Sequence, residues 1–434
     1  MFAPRSPATQ LPRGFYRLIA AQVTTGLADN ALLIVAIGHL QLQGLPAWWA
    51  PVLKLSFTLS YVALAPWVGP WADRVPKARL LWQTGGLKAL GVCALMGGWH
   101  PAIAFAWIGL GAALYAPAKY GWVTENVPAQ RLVRANGWLE VSLVLAILLG
   151  VAGGGGLTAW APQWPVALPG LPDTPLQAAW LALLALYLLA AVLGRAVPLG
   201  RGVSRPTTHW ARTCVQAFWR DNCRLWRDPL GGLSMAATSL FWAAGATLQL
   251  AVLQWAQARL GLSLSHAAVL QASVAIGVMV GAAWAAKAVP LRRAASGLPV
   301  GIVLGGILVG ASWLREWQWA LPVMLGVGAL SGIMVVPMNA LLQYRGQRLL
   351  DAGRSIAIQG FNENAGILLA MLLYAASLEA LPHVAWAMTA LGIMLVLGTS
   401  ALWWRARRVV RLPGSLGLRV RPNKLTARTR TATR

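Results

Sequence analysis

The sequence predicts an all-α integral membrane protein with about twelve transmembrane helices in two six-helix bundles. Of its 434 residues, 58% are hydrophobic and 11% are charged, and the mean hydropathy is +0.60. Apolar runs follow one another with short polar breaks, and each run is long enough to cross a hydrocarbon core about 30 Å thick. The runs lack strict alternation and exceed the roughly ten residues of a membrane β-strand, which excludes a transmembrane β-barrel.

An arginine-rich break divides the predicted spans into two sets of six. In chain order, the spans are predicted at 15–40, 49–70, 80–98, 101–122, 136–160, 175–197, 231–260, 264–289, 297–314, 317–341, 355–380 and 383–404. The expected organisation is a cytoplasmic N-terminus over 1–14, a first bundle over 15–197, a basic cytoplasmic linker over 198–230, a second bundle over 231–404 and a basic cytoplasmic tail over 405–434.

Positive charge is concentrated in alternate loops and at the termini. The formal net charge is +25, and all but five of the 36 Lys and Arg residues lie at the N-terminus, in every second loop or in the C-terminal tail. This is the pattern of the positive-inside rule, and it predicts that both termini are cytoplasmic. The tail suits an orienting segment that contacts anionic lipid, so we expect no nucleic-acid partner.

The cysteines are few and irregularly spaced. Cys93, Cys214 and Cys223 form neither a paired framework nor a pattern of metal ligands. We therefore expect no disulfide, no metal site and no cofactor.

Among the ionisable residues within the predicted spans, five are candidates for a site inside the membrane: Asp29, Lys88, Lys119, Glu140 and Glu363. A charged side chain near the bilayer centre costs about 2.5–3.5 kcal/mol, so each one needs a partner or a water-filled cavity. Because both signs are present, the set favours a zwitterionic or mixed-charge ligand over a simple cation.

Structural roles are the alternative for each of these residues. Asp29 and Glu363 can hydrogen-bond helix backbones or neighbouring asparagines, and Lys119 can satisfy carbonyl groups freed by a kink at Pro117. Lys88 and Glu140 are expected near helix ends, where snorkelling or pairing explains them.

The loop between the second and third spans, GPWADRVPKAR at 69–79, combines an acid with a basic cluster. Asp73 can cap a helix and form ion pairs, while Arg74 and Lys77 can hold the cytoplasmic ends of neighbouring helices. We expect a gating loop that stabilises one of two access states, and a plain basic turn is the alternative. The loop resembles the signature of the major facilitator superfamily, with Pro76 where glycine is usual. The span pattern also matches that fold, two six-helix bundles around a midplane cavity.

Six separated motifs resemble one branch of this superfamily, the bacterial lysophospholipid transporters. In order they are ADNALL at 28–33, GLGAALYAPAKYG at 109–121, RANGWLEVS at 134–142, TSLFWAAGATLQ at 238–249, VVPMNALLQYRG at 335–346 and AIQGFNENAG at 357–366. Together they cover nearly all of the chain up to the basic tail.

The resemblance implies a substrate site made of Asp29, Asn30, Lys119, Gln249 and Glu363. In that family pattern the carboxylates face the ethanolamine ammonium and the lysine faces the phosphate. Gln249 departs from the pattern, which carries arginine there, and a neutral amide cannot hold a phosphate or a buried carboxylate as a guanidinium does. We therefore expect the head-group preference or the gating network to differ.

The function implied by the resemblance is flippase-like transport of lysophosphatidylethanolamine and related lysoglycerophospholipids. These would move by alternating access from the outer to the cytoplasmic leaflet of the bacterial inner membrane. A lysophospholipid acyltransferase would then restore the missing chain and is the protein partner that the resemblance implies. We expect the transporter itself to be a monomer.

Two other functions compete with this one. The first is a proton-coupled drug or metabolite antiporter of the same fold, with Asp29 or Glu363 as the proton carrier. The second is a membrane-bound lipid acyltransferase, which usually carries a His and an Asp separated by four residues. None of the five histidines has that spacing, and nucleophile-elbow, phosphate-loop and zinc motifs are absent from the sequence. We therefore expect a protein that is not an enzyme.

Overall fold

The computed structural model describes residues 11–46, 49–164, 166, 169–170, 174–199, 211–380 and 384–410. The first bundle contains α1 (Arg13–Leu42), α2 (Trp49–Arg74), α3 (Lys77–Met96), α4 (Pro101–Asn126), α5 (Leu132–Trp160) and α6 (Gln177–Arg195). A further helix, α7 (Ala211–Arg227), precedes the second bundle. The second bundle contains α8 (Pro229–Leu260), α9 (Leu264–Ala288), α10 (Leu298–Ala311), α11 (Trp317–Leu349), α12 (Ala352–Ala380) and α13 (Val384–Val410).

This architecture confirms the predicted all-α membrane fold. Eleven helices of the described chain are long and apolar enough to cross a membrane. Among the twelve bundle helices, α3 is the exception, because Arg79, Gln83 and Lys88 lower its hydropathy. It nevertheless lies packed between α4 and α6 and completes the first set of six.

The predicted boundaries differ from the helices mainly at one side of the molecule. The predicted span 317–341 is helical through Leu349, and the predicted span 383–404 continues to Val410 in α13. These extensions carry Arg345, Arg348 and Arg407, which are too polar to have been included by hydropathy. Most of the predicted tail, 411–434, and the first ten residues lie outside the described chain.

The predicted linker contains α7, a helix that hydropathy alone did not predict. Its residues Phe218 and Leu225 are buried against Ala65 of α2 and Ile358 of α12. Its other face carries exposed Arg220 and Arg224. The helix is therefore strongly amphipathic, and it lies on both bundles.

We call the side of the molecule where α1 begins and α2 ends the basic face, and the other side the distal face. One continuous apolar core joins the two bundles near the basic face; its members include Phe15, Leu81, Leu233 and Leu341. Towards the distal face, the first bundle has a core of its own and the second bundle has another. The bundles therefore pack against each other near the basic face and have separate cores distally.

Small residues allow this close packing. A methyl group added at Gly137 of α5 would lie 2.5 Å from Cβ of Ala286 and 2.7 Å from the carbonyl oxygen of Ala282, both on α9. Such distances leave no room for a larger side chain, so the two helices touch through backbone and small side chains.

Candidate functional site

Asp29 lies in an internal ion pair of the first bundle. Lys88 Nζ is 2.7 Å from Oδ2 and 2.9 Å from Oδ1 of Asp29, and the Tyr187 hydroxyl donates to Oδ1 at 2.8 Å. The Lys88 side chain is 1% exposed and that of Asp29 is 21% exposed. The Asp29 carboxylate thus joins three helices, α1, α3 and α6. Its pairing with Lys88 offsets the free-energy cost of placing both charges in the membrane.

Lys119 has a different environment. Its Nζ lies 4.1 Å from the ring centroid of Tyr120 and 6.0 Å from that of Tyr115, so aromatic faces surround the ammonium. Glu140 of α5 acts on it electrostatically, but no carboxylate of the described chain lies within the 4.0 Å of an ion pair. Lys119 is buried and, unlike Lys88, carries a charge that no ion pair compensates.

The Tyr115 hydroxyl is an unused polar group between the two lysines. Its ring centroid is 5.6 Å from Lys88 Nζ and 6.0 Å from Lys119 Nζ. The hydroxyl oxygen is buried and makes no hydrogen bond within the described chain. A buried hydroxyl without a partner is unusual, and the ring that carries it lies near the ammonium group of Lys119.

Glu363 brings a carboxylate from the second bundle to the same region. Gln359 donates to Oε1 of Glu363 at 2.8 Å and also donates to Oδ1 of Asn339 at 3.0 Å. Within the described chain, no lysine or arginine forms an ion pair with Glu363. The Tyr120 side chain packs against the apolar core that joins the bundles, within electrostatic range of both Glu363 and Glu140.

The expectation that Lys88 and Glu140 lie near helix ends is wrong. Lys88 is in the interior of α3, and Glu140 is more than two turns inside α5; both are buried. Hydropathy placed them near the edges because the surrounding glycines and polar residues dilute the apolar signal. Pairing with Asp29, one of the alternatives for Lys88, is what the structure contains.

Asn30 and Gln249 are not brought into this cluster. The Asn30 amide donates to the carbonyl oxygen of Gly26 in its own helix at 2.8 Å. Gln249 is exposed on α8, ten residues beyond Ser239, which packs against Gly366 of α12. Ten helical residues correspond to about 15 Å along the axis, so Gln249 lies well towards the distal face from the level of Glu363.

The loop residues at the basic face connect the two bundles. Asp73 accepts hydrogen bonds from the backbone N–H groups of Gly353 at 2.6 Å and Arg354 at 3.0 Å, which caps the first turn of α12. Lys77 is buried, 3.3 Å from Asp73 and 3.4 Å from Glu125. Arg74 ends α2, half-buried beside this network.

A close approach of the backbones permits the Asp73 contact. A methyl group added at Gly69 of α2 would lie 2.8 Å from Cα of Arg354. One added at Gly353 would lie 2.6 Å from Oδ1 of Asp73. The glycine that begins the loop motif is therefore required by the packing of α2 against α12.

Sequence reasoning missed a second link between the bundles. Asn136 of α5 and Gln343 of α11 exchange two side-chain hydrogen bonds, of 2.9 Å and 2.8 Å, and both are almost fully buried. Both amides lie in the motifs quoted above, but their pairing joins positions 207 residues apart, which no local pattern reveals.

Comparison with known proteins places this arrangement in a family. The profile described as Major Facilitator Superfamily matches residues 47–371. The "Lysophospholipid transporter LplT" of Serratia proteamaculans (strain 568) is 35% identical over 400 residues, which cover 92% of this chain and 97% of the relative. The protein of the same name from Citrobacter koseri is 36% identical over 403 residues, which cover 92% of this chain and 97% of that relative. The chain belongs to the Major Facilitator Superfamily and, within it, to the LplT family.

Solved structures of other transporters share the fold of this LplT-family protein. A structure described as the transporter FucP in the outward conformation has a TM-score of 0.71 at 14% identity, covering 91% of this chain and 98% of FucP. A bacterial homologue of the iron transporter ferroportin in the outward-facing state has a TM-score of 0.66 at 17% identity, and the match covers 92% of this chain and 100% of the homologue. The fold predicted from the span pattern is thus confirmed independently of the sequence motifs.

Proposed function

We propose that this protein transports lysoglycerophospholipids, lysophosphatidylethanolamine among them, from the outer to the cytoplasmic leaflet of the bacterial inner membrane. The function named for its LplT relatives supports the substrate class. The observation that carries the proposal is that Lys119 and Glu363, of opposite charge and from different bundles, each lack an ion-pair partner among the described residues. A zwitterionic head group supplies the missing charge to each.

The head group is held by complementary charge. The phosphate binds Lys119, and the adjacent Tyr115 hydroxyl donates a further hydrogen bond to it. The ammonium binds the Glu363 carboxylate, which Gln359 orients from within α12. Because the two charges come from different bundles, a bound head group bridges them.

Asp29 acts indirectly in this scheme. Its carboxylate is already occupied by Lys88 and Tyr187, so its role is to fix α1, α3 and α6 around the site. Lys88 and Lys119 repel each other across Tyr115, and the Asp29 charge offsets that repulsion. Asp29 therefore supports the phosphate site without contacting the substrate.

The acyl chain needs no polar contact. Towards the distal face the two bundles have separate apolar cores, so a tail can lie between them or pass to the surrounding lipid. With the positive-inside rule the basic face is cytoplasmic, both termini lie on that side, and the described conformation is closed to the cytoplasm. A head group entering from the outer leaflet then meets the open side first.

Alternating access follows from the bonds at the basic face. Asp73 with α12, and Asn136 with Gln343, must separate before the cytoplasmic side opens. A bound head group that draws Lys119 and Glu363 together favours repacking of the bundles, because it binds best where both contacts form. The released lysolipid is then a substrate for an acyltransferase in the cytoplasmic leaflet. We propose that the transporter works as a monomer and catalyses no covalent step.

Uptake of labelled lysophosphatidylethanolamine into spheroplasts tests the proposal. Cells that carry the gene should accumulate label and its diacyl product, whereas cells without it should not. A Lys119→Gln chain at matched membrane abundance should resemble the cells without the gene. Equal uptake in all three would contradict lysolipid transport.

Glu363 also suits the competing function, a proton-coupled antiporter, because a half-buried carboxylate without an ion-pair cation in the described chain can carry a proton. Proteoliposomes separate the two functions. An imposed pH step should leave lysolipid transfer unchanged under the transport scheme above, and a transfer that depends on that step would favour the antiporter.

A further inference from the structure

A basic cavity lies apart from the head-group site, between α7 and the turn that joins α11 to α12. It encloses about 510 Å³. Its charged lining consists of Arg220, Asp221, Arg224, Arg348, Asp351 and Arg354. Pockets of about 300–1,000 Å³ accommodate small ligands, so this space is large enough for a head group or a small phosphorylated molecule.

The charges of the cavity do not balance. Arg354 contacts both carboxylates of the lining: it pairs with Asp351 and its Nη1 is 3.1 Å from Asp221. Four guanidinium groups therefore face two carboxylates, which leaves an excess of two positive charges. The excess resides mainly on Arg220 and Arg224, which are exposed on the same side of α7.

These two arginines are placed to bind one anion. They are four residues apart on a helix and thus one above the other. The Arg220 side chain is 75% exposed, and its Nε is 3.7 Å from Asp221, too far for a hydrogen bond. Apart from this long ion pair, their donors face solvent, and guanidinium groups match phosphate oxygens in a two-pronged geometry that ammonium groups cannot reproduce.

The cavity adjoins the bonds that keep the basic face closed. Arg354 joins three helices, because its backbone N–H donates to Asp73 of α2 and its guanidinium pairs with Asp221 of α7. On the packed face of α7, opposite Arg220 and Arg224, Asn222 accepts a hydrogen bond from Asn362, the neighbour of Glu363 in α12, and Trp226 donates to that asparagine. A ligand in the cavity would therefore affect how firmly α7 packs against α12.

We propose that this cavity is a binding site for a phosphate group, carried by an anionic lipid head group or by a soluble phosphorylated molecule. Its occupancy stabilises the docking of α7 on α12 and hence the conformation closed at the basic face. The site is separate from the transport site, and the proposal stands or falls independently of the transported substrate.

Thermal unfolding of the purified full chain in a neutral detergent tests the proposal. The probes are dioctanoyl phosphatidylglycerol, dioctanoyl phosphatidylcholine and glycerol 3-phosphate at constant ionic strength. Phosphatidylglycerol should raise the melting temperature saturably, and phosphatidylcholine should not. If glycerol 3-phosphate acts as strongly as phosphatidylglycerol, the phosphate source is soluble; if it has no effect, the source is the lipid.

Matched variants assign the effect to the cavity. Arg220→Gln with Arg224→Gln should weaken binding of the active probe about tenfold or more, since each charged hydrogen bond contributes about that factor. Arg227→Gln with Arg405→Gln removes the same charge from exposed positions of the basic side outside the lining and should leave binding unchanged. Arg220→Lys with Arg224→Lys keeps the charge and should retain weaker binding.

Three results would overturn the proposal. One is an equal loss of binding in both glutamine double variants, which would indicate only diffuse attraction to a basic surface. Another is loss of the effect in Lys119→Gln with the cavity intact, which would place the probe in the transport site. Absence of any saturable stabilisation of the wild-type chain also contradicts it.

Discussion

Substituting either partner of the Asp29–Lys88 ion pair is expected to lower the free energy of unfolding more than any other single substitution in the first-bundle charge cluster. The ammonium of Lys88 lies within 2.9 Å of both carboxylate oxygens, and its side chain is almost fully enclosed. Removing one partner of a buried ion pair costs about 3–5 kcal/mol, because the other charge is left uncompensated. Lys88→Met leaves Asp29, which is partly exposed and retains Tyr187, so its cost belongs at the lower end, about 3 kcal/mol.

Asp29→Asn leaves the more deeply buried charge, and its cost is expected at the upper end, about 4–5 kcal/mol. The double variant removes both charges and should be more stable than the sum of the single changes, with a coupling of about 2–3 kcal/mol. Equilibrium unfolding of the four chains in mixed micelles measures the cycle. Additive effects would refute the pairing and would return Asp29 to the list of groups free to bind a head-group ammonium.

Four further changes probe the transport site and the gate. Lys119→Gln and Glu363→Gln should each lower lysolipid uptake about tenfold or more at matched membrane abundance, because each change removes one charge that the head group needs and breaks no ion pair of the described chain. Normal uptake by either variant removes that residue from the site. Asp73→Asn weakens the bonds from Asp73 to the first turn of α12, so cysteine-accessibility labelling should shift towards opening of the basic face with little change in substrate affinity. An unaltered labelling pattern with weakened binding would contradict the gating role. Gln249→Arg, about 15 Å along α8 from the level of Gly366, should leave the preference between lysophosphatidylglycerol and lysophosphatidylethanolamine unchanged at matched abundance. A changed ratio would place residue 249 on the head-group path.

The fold was accessible from the sequence because its signals are local. A run of apolar residues predicts a membrane helix wherever it lies, and the spacing of basic loops gives the two sets of six. The same reasoning misjudged α3, where Lys88 looked like an edge residue although it lies in the helix interior. Its partner Asp29 is 59 residues away, and nothing in either motif indicates that the two side chains meet.

At the loop between α2 and α3, too, the sequence predicted the local contacts but not the contacts between distant helices. Asp73 and Lys77 were recognisable from the loop motif, because acid and base four residues apart commonly pair. The capping of α12 by Asp73 was not, since it depends on how closely α2 and α12 approach at Gly69 and Gly353. Contacts between helices distant in sequence depend on rotation and depth in the bundle, which a nearly uniform apolar pattern leaves undetermined.

Direct observation of lipid transfer by the purified protein tests the central claim. Proteoliposomes containing the wild-type chain, Lys119→Gln or Glu363→Gln are loaded with fluorescent lysophosphatidylethanolamine, and dithionite quenching of the accessible leaflet reports the fraction that has crossed. The wild-type chain is expected to transfer the lysolipid but not its diacyl counterpart, and both variants to transfer it about tenfold or more slowly. Transfer by the wild type that equals protein-free vesicles, or variants that match the wild type, would contradict the account.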